Sequence, residues 1–185
     1  FKFLAKKGIP THFVEKLSNT ECVTKKLSMI PLEVVVRNVL AGSTAKKFAI
    51  EEGTPLDKPL VEFYYKKDEL NDPFISDDQA LMIKAVSDTK DLDTLKKLGL
   101  AVNTALIEFF QKCGIKLVDF KLEFGKTGNG EIILGDEISP DSCRLWDLKT
   151  NEKLDKDRFR RDLGQVKEKY EEVWQRIQKE WSDYV

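Results

Sequence analysis

Apolar and charged residues alternate along residues 118–125, and this alternation constrains the fold more than any other feature of the sequence. Side chains on an extended strand point to opposite faces in turn, so a strand here gathers its apolar residues on one face. The opposite face then carries Asp119, Lys121 and Glu123. Residues 126–130 are rich in residue types that tolerate a positive φ, which predicts a turn into a second strand over residues 131–138. We therefore expect a β-hairpin with one packed face and one face for chemistry.

The register of this hairpin decides where Asp136 lies. If paired residue numbers sum to an odd value, as with Gly125 opposite Gly130, Asp136 joins the charged face, whereas an even sum places it among apolar side chains. A lone buried carboxylate is costly or takes up a proton, so we expect the odd register. The alternative interpretation is that the charged face is only the solvated side of an edge hairpin. The polar run over residues 139–144, which brings another acid and an arginine, favours a functional face.

The composition argues against several classes of function. The chain of 185 residues carries 31 lysines and arginines against 32 acids, and a net charge of -1 does not favour nucleic acid as a partner. Cys22, Cys113 and Cys143 are odd in number and lack CxxC spacing, which argues against a disulfide framework or a thiolate zinc site. We therefore expect a reducing, cytoplasmic location. No apolar run reaches the roughly 18 to 20 residues that span a bilayer, so no membrane partner is expected.

His12 is the only histidine in the chain. It lies in an alternating strand pattern, and we interpret it as structural. A histidine zinc site or a Ser-His-Asp triad is therefore not expected. The remaining candidates for catalysis are carboxylates, lysines, arginines and a hard metal ion, which are the groups that phosphoryl-transfer enzymes use.

Helix and strand patterns follow one another along the chain. Strands are predicted over residues 11–17, 21–27, 33–39 and 60–66 in addition to the hairpin, and helices over residues 1–7, 45–50, 91–114 and 163–181. The last two helices rest on apolar residues that recur every three or four positions. This order predicts an α+β fold with a mainly antiparallel sheet covered by helices. The apolar stripe of the last helix includes Trp174 and Trp181, and we interpret it as core, with a partner interface as the alternative.

The strand predicted over residues 33–39 is followed by residues that could bind a phosphate monoester, and its own end carries another. Arg37 lies near its end, and the run Gly-Ser-Thr at residues 42–44 opens the next helix. Backbone amides and hydroxyls at such a position can donate to an anion, and an arginine can add two parallel hydrogen bonds. The alternative is that Ser43 serves only as the N-cap of the helix.

Several runs of the chain closely resemble motifs of the SAICAR synthetase (phosphoribosylaminoimidazole-succinocarboxamide synthase) family, in the same order. They are residues 33–38, 41–43, 118–125 and 135–147. The resemblance extends over the whole chain. It implies a two-lobed α+β fold with the active site in the inter-lobe cleft. Residues 1–30 would then belong to an amino-terminal ATP-binding lobe, and residues 31–185 would form the larger lobe with the ribotide and metal sites.

The resemblance implies an ATP-dependent ligase that joins L-aspartate to the carboxylate of the purine precursor CAIR through an acyl phosphate, giving SAICAR, ADP and phosphate. ATP is then a substrate, Mg²⁺ a cofactor, and CAIR and L-aspartate the small-molecule partners. Assembly into a homo-oligomer is left open. The family's glycine-rich loop and the lysine over the nucleotide phosphates are not found in this sequence. A non-catalytic nucleotide- or ribotide-binding fragment is therefore the alternative, and a kinase that stops at phosphorylation is a third.

Individual residues receive roles from the same resemblance. It implies that ATP is bound by Met29, Lys66, Glu123 and Asp136, that CAIR is bound by Arg37, Ser43, Asp72, Arg144 and Arg160, and that the metal is held by Asp136, Glu123 and Asp72. Lys121 would neutralise a carboxylate or the acyl phosphate, and Asp119 would accept hydrogen bonds from ribose hydroxyls.

The residues alone allow plainer interpretations of four of these positions. Met29 could be a core methionine, Lys66 and Asp72 solvated loop charges, and Arg160 part of a charged helix start. The chain also departs from many relatives in one place, where they carry Asp-His and it carries Asp78 and Gln79. No role that depends on that histidine is carried over.

Overall fold

The computed structural model describes residues 1–184, and it confirms the α+β class with a mainly antiparallel sheet. The strands are β1 (Phe13–Lys16), β2 (Cys22–Thr24), β3 (Ser28–Val39), β4 (Pro55–Tyr65), β5 (Phe74–Ile75), β6 (Ile115–Lys126), β7 (Ile132–Leu134) and β8 (Cys143–Asp147). β1 and β2 form a two-stranded sheet, and the main sheet has the order β5-β4-β3-β6-β7, with β8 also paired to β6. The pairs β4–β5, β6–β7 and β6–β8 are antiparallel.

Helices connect these strands. They are α1 (Lys2–Lys6), α2 (Gly42–Lys47), α3 (Asp77–Met82), α4 (Thr89–Lys112), α5 (Asp157–Arg160) and α6 (Val166–Glu180), with 3-10 turns at Asp68–Leu70 and Ser182–Tyr184. α3 begins with a capping box, in which Ser76 Oγ accepts from Gln79 N and Gln79 Oε1 accepts from Ser76 N. Gln79 thus takes part in capping a helix. Over residues 1–184, no helix is both long and apolar enough to cross a membrane.

The long helix α4 forms where the apolar spacing predicted it. Its buried residues include Leu92, Leu95, Val102, Ala105, Leu106 and Phe110. These positions recur every three or four residues and therefore share one side of the helix. The chain leaves the helix through Gly114, whose φ of 68° is a left-handed conformation that glycine adopts without strain.

The last helix is shorter than predicted, because Leu163 precedes it and α6 begins at Val166. Its two tryptophans have different environments. Trp181 lies just after the helix, stacks on Phe109 with ring centroids 5.1 Å apart, and donates from Nε1 to the Phe109 carbonyl. Trp174 is 41% exposed. The interpretation of the stripe as core therefore fits Trp181 and not Trp174.

The contacts divide the chain into two compact units. The first unit comprises Phe1–Val35, Val61–Val102 and Leu122–Glu137, and the second comprises Val36–Leu60, Asn103–Lys121 and Ile138–Val185. Fully buried side chains of the first unit include Leu4, Leu32, Leu92, Leu95 and Phe124. Those of the second unit include Ile115, Phe120, Leu145 and Leu154. The domain boundary expected after residue 30 stays a prediction.

The predicted register of the hairpin is wrong. β6 and β7 pair as Phe124 with Leu134, Gly125 with Ile133 and Lys126 with Ile132, so paired numbers sum to an even value. The expectation assumed that the second strand stays pleated as far as Asp136. β7 instead ends at Leu134, and Asp136 is exposed with a left-handed φ of 55°. The carboxylate thus reaches solvent through a turn, and the even register does not bury it.

The charged face of β6 is largely covered, as the apolar face is. Asp119 and Glu123 are only 3% and 5% exposed, so both faces of the strand are covered. The pairing of β6 with β8 is irregular between Leu117 and Asp119, which marks a β-bulge. A bulge changes the direction of the side chains that follow it, and here it precedes the most buried carboxylate of the strand.

Candidate active site

The residues expected to bind nucleotide and metal all lie in the first unit. Met29 is in β3 and is 47% exposed, so it is not a core methionine. Lys66 follows β4, and its ammonium group forms an ion pair with the buried carboxylate of Glu123 in β6. The Lys66 side chain is itself 43% exposed, so this pair joins a partly solvated ammonium group to a buried carboxylate.

Asp72 and Asp136 occupy turns with left-handed backbone. Their φ angles are 43° and 55°, a region that aspartate tolerates better than most residues. Asp72 Oδ1 accepts a hydrogen bond from Lys67 N at 2.7 Å. Across residues 1–184, no three histidine, cysteine, aspartate or glutamate side chains are grouped closely enough to hold a metal ion by themselves. The carboxylates of the first unit therefore do not form a complete protein cage for a cation.

Arginines and buried carboxylates alternate in the second unit. Arg37 Nη1 donates to Asp119 Oδ2 at 2.6 Å, and Arg144 Nη1 donates to both oxygens of Asp119 at 2.9 and 3.0 Å. Arg144 Nε donates to Asp157 Oδ2 at 2.9 Å, and Arg160 Nη1 donates to Asp157 Oδ1 at 2.8 Å. We call these five residues the arginine row. Three guanidinium groups against two carboxylates leave one positive charge in excess.

The environment of Asp119 argues against the ribose contact that the resemblance implied. The residue is 3% exposed, and both of its oxygens accept hydrogen bonds from arginines. Burial raises the pKa of Asp119, while the charges of Arg144 and Arg37 act in the opposite direction. Its carboxylate is therefore occupied in holding two arginines rather than in binding a hydroxyl group.

The other charges of the row shift one another in the expected directions. Burial favours a higher pKa for Asp157, but Arg144 and Arg160 outweigh it and the pKa is lowered. Burial disfavours the charged form of Arg144, yet Asp119 and Asp157 raise its pKa above the ordinary value. Both groups are therefore ionised at neutral pH.

The start of α2 lies against the arginine row. A Cβ atom added at Gly42 would be 2.5 Å from Arg144 Nη2, so the guanidinium group rests directly on the backbone of this glycine. Ser43 is exposed in the first turn of α2. The N-cap of α2 is Ala41, which rules out the alternative that Ser43 serves only as a cap.

Lys121 and the loop after β7 are joined by the backbone. Lys121 is half-buried, and its N–H donates to the Ser142 carbonyl at 2.8 Å. Tyr170 in α6 donates to Asp141 Oδ1 at 2.5 Å, which holds the neighbouring residue of the same loop. The polar run that the sequence singled out is thus a fixed loop rather than a loose one.

Two pairs of residues escaped the sequence reasoning. Asp155 and Asp157 are fully buried or nearly so, although their run of charges is typical of an exposed helix start. Asn38 and Asn103 exchange side-chain hydrogen bonds at 2.8 and 2.9 Å, and Asn38 also donates to the Leu117 carbonyl beside the β6 bulge. The sequence signal for Asn38 was its position next to Arg37, but nothing in the sequence indicated its partner.

Comparison with known proteins decides the family. A sequence model described as SAICAR synthetase matches residues 1–177. The chain belongs to the SAICAR synthetase family. It is 58% identical over 177 residues to the phosphoribosylaminoimidazole-succinocarboxamide synthase of Campylobacter curvus, covering 96% of this chain and 75% of the relative. The ligase function in purine biosynthesis that the sequence indicated is confirmed, and the non-catalytic alternative has no support.

Solved structures of SAICAR synthetases agree with the fold. The phosphoribosylaminoimidazole-succinocarboxamide synthase of Ehrlichia chaffeensis matches with a TM-score of 0.92 and 50% identity, over 95% of this chain and 75% of that one. A type-2 SAICAR synthetase in complex with ADP matches with a TM-score of 0.93 and 48% identity, over 97% of this chain and 76% of that one. The ADP complex of this relative supports the expectation that the chain binds a nucleotide.

Proposed function

We propose that this ligase binds the phosphate monoester of CAIR through the arginine row and Ser43. The observation that carries the proposal is that two buried carboxylates hold Arg37, Arg144 and Arg160 while the row keeps one positive charge in excess. A guanidinium group can donate two parallel hydrogen bonds to a pair of phosphate oxygens. Because these groups are already fixed, they lose little side-chain freedom when the phosphate binds.

The nucleotide is bound, in this proposal, by the first unit. Exposed Met29 offers an apolar surface for adenine, and Lys66 and Glu123 form a charged pair for the polyphosphate and its cation. Mg²⁺ commonly takes one or two carboxylates and completes its ligands with phosphate oxygens and water. Glu123, Asp136 and Asp72 are hard oxygen donors of this type. The ion would neutralise phosphate charge.

The chemistry requires activation of a carboxylate. An amine does not displace oxide from a carboxylate ion, whereas phosphate is a good leaving group. We infer that the γ-phosphoryl group of ATP passes to the CAIR carboxylate, and that the amino group of L-aspartate then attacks the carbonyl carbon and expels phosphate. The Lys121 ammonium group would offset the negative charge of the carboxylate and the acyl phosphate. Fixed positions of the reacting groups supply much of the acceleration in such reactions.

The proposal is tested by measuring ADP, phosphate and SAICAR when each substrate is omitted in turn. The ligase forms SAICAR only when ATP, CAIR and L-aspartate are all present, with one ADP per SAICAR. ADP formation that needs CAIR but proceeds at full rate without L-aspartate would identify a kinase instead. Asp136→Asn should lower turnover at least about a hundredfold while circular dichroism shows an unchanged fold. Near-normal turnover in that variant would contradict the metal assignment.

Three further expectations belong to the same proposal. Limited proteolysis tests the division into an amino-terminal part over residues 1–30 and a larger part over residues 31–185. Sedimentation analysis tests whether the chain forms a homo-oligomer. A cytoplasmic location is consistent with free Cys22, Cys113 and Cys143 in the structure.

A further inference from the structure

Asp157 joins two arginines of the arginine row that lie on different elements. Its carboxylate accepts from Arg144 in β8 through one oxygen and from Arg160 in α5 through the other. The residue is 2% exposed, and Arg161 Nη2 lies 3.5 Å from the same oxygen that Arg144 contacts. α5 has only four residues, so the helix itself gives little rigidity to these side chains.

Arg144 is held from two sides. Asp119 takes its Nη1 and Asp157 takes its Nε, whereas Nη2 lies against Gly42 and is engaged by neither carboxylate. A free arginine side chain loses rotamer entropy when it becomes ordered. Two carboxylates that bind different edges of the same guanidinium group impose that order before any ligand arrives.

Asp155 fixes Asp157 in turn. It is completely buried, and its Oδ1 accepts from Asp157 N at 2.7 Å while its Oδ2 accepts from Leu145 N at 2.8 Å. Leu145 follows Arg144 in the chain. Asp155 therefore ties the backbone beside Arg144 to the backbone of Asp157, so the spacing of the ion pair is set by backbone hydrogen bonds as well as by charge.

We propose that Asp157 is a positioning residue for anion binding, which holds the guanidinium groups of Arg144 and Arg160 in one arrangement for the CAIR phosphate. The inference rests on the proposed function, because it assigns the phosphate monoester to the arginine row. Asp157 itself does not touch the substrate in this scheme. It acts through the two arginines.

The sign of the effect separates positioning from simple charge balance. Asp157→Asn removes one negative charge from the row, so an electrostatic effect alone would strengthen phosphate binding and lower the KM for CAIR. Positioning predicts the opposite, because an amide holds the Arg144 and Arg160 edges less firmly. We expect the KM for CAIR to rise at least about tenfold, with the KM values for ATP and L-aspartate changed less than about twofold.

The control is Glu152→Gln, the same carboxylate-to-amide change five positions earlier. Glu152 is exposed and pairs with Arg158 and Lys169 outside the arginine row. We expect its KM for CAIR to stay within about twofold of the wild type. In an Arg144→Lys background, which lacks the Nε donor, Asp157→Asn should raise the KM for CAIR far less than it does alone.

The outcomes separate the two proposals. Wild-type protein that fails to convert CAIR would overturn the proposed function. Wild-type protein that converts CAIR while Asp157→Asn shows an unchanged or lower KM for CAIR would overturn the positioning role alone. If Asp157→Asn does not fold, Asp157→Glu keeps the charge and displaces it by one methylene group, and a KM for CAIR equal to that of the wild type in this variant would overturn the inference equally.

Discussion

Gly42 is the residue whose smallness the arginine row requires. Its φ of 61° is left-handed, and a Cβ atom there would lie 2.5 Å from Arg144 Nη2 and 2.9 Å from Arg144 Cζ. Two separate costs therefore oppose any side chain at this position. The backbone would be strained, and the guanidinium group would have to move away from the place in which Asp119 and Asp157 hold it.

Gly42→Ala should raise the KM for CAIR at least about tenfold, because the displaced Arg144 no longer contacts the phosphate. The same change should lower the free energy of unfolding by about 1 kcal/mol or more. The matched control is Gly164→Ala, since Gly164 has a similar φ of 68° and nothing within 4 Å of its Cβ position. That variant should lose stability and keep its KM. Steady-state kinetics measures the KM for CAIR of both variants. If the two values were raised equally, backbone strain and not the clash with Arg144 would determine the rise in KM.

At the scale of elements, the periodicity of apolar residues predicted those helices and strands whose formation depends on local sequence. α1, the β1–β2 pair, β3 and α4 lie where their patterns placed them, because each pattern is long or ends at a clear turn residue. The hairpin register failed because β7 has only three residues, all buried, and so carries no alternation that could fix it. The β6 bulge was not predicted for a related reason, since it lies in the pairing with β8, which is separated from it in sequence.

The candidate site divides in the same way. Its arginines, lysines and exposed acids are residues whose type suggests chemistry, and the motifs placed them before the structure did. Asp157, which holds Arg144 and Arg160, could not be found this way, because a run such as Asp155-Lys-Asp-Arg looks solvated until its packing is known. Buried ionic contacts between distant segments are decided by tertiary structure, and no local pattern reports them.

Glu52 links the segment between α2 and β4 to the end of α5, and this link should depend on pH. Its carboxylate accepts from Arg161 Nη1 at 2.8 Å and from Gly42 N at 3.4 Å, and the hydrogen bonds from Arg161 are the main reason that its pKa falls from 4.5 to about 2. A carboxyl group whose pKa is lowered by folding stabilises the fold above its unfolded pKa. That contribution is lost as the pH falls from 4.5 towards 2.

Glu52→Gln should therefore lower the free energy of unfolding at pH 7 by about 1 kcal/mol, a value reduced because the side chain is about one-third exposed. At pH 3 the difference from the wild type should shrink to less than half of its value at pH 7. Urea unfolding at both pH values measures the effect, with Glu51→Gln as the neighbouring control. A difference that stays constant between pH 7 and pH 3 would mean that packing, and not the charge of Glu52, carries the effect.

At the scale of the whole molecule, the two sets of candidate residues separate by unit. Those expected to bind nucleotide and metal fall in the first, and those expected to bind the ribotide phosphate fall in the second. The cysteines separate in a similar way, with exposed Cys22 in the first unit and buried Cys113 and Cys143 in the second. Thiol reactivity can therefore report on the opening of the second unit against a reference thiol in the first.

One thiol per chain should react rapidly with a disulfide reagent at pH 8, and all three should react in urea. Burial raises the pKa of Cys113 to about 11 and that of Cys143 to about 12, and the thiolate that attacks the reagent forms only after opening. Cys22→Ser should abolish the rapid phase. Because CAIR binds the folded second unit in our proposal, a concentration about a hundred times its Kd should slow the reaction of Cys143 about a hundredfold. A rapid reaction of Cys143 in the native chain would show that β8 opens without global unfolding, and a rate that CAIR leaves unchanged would contradict the binding of CAIR to the second unit.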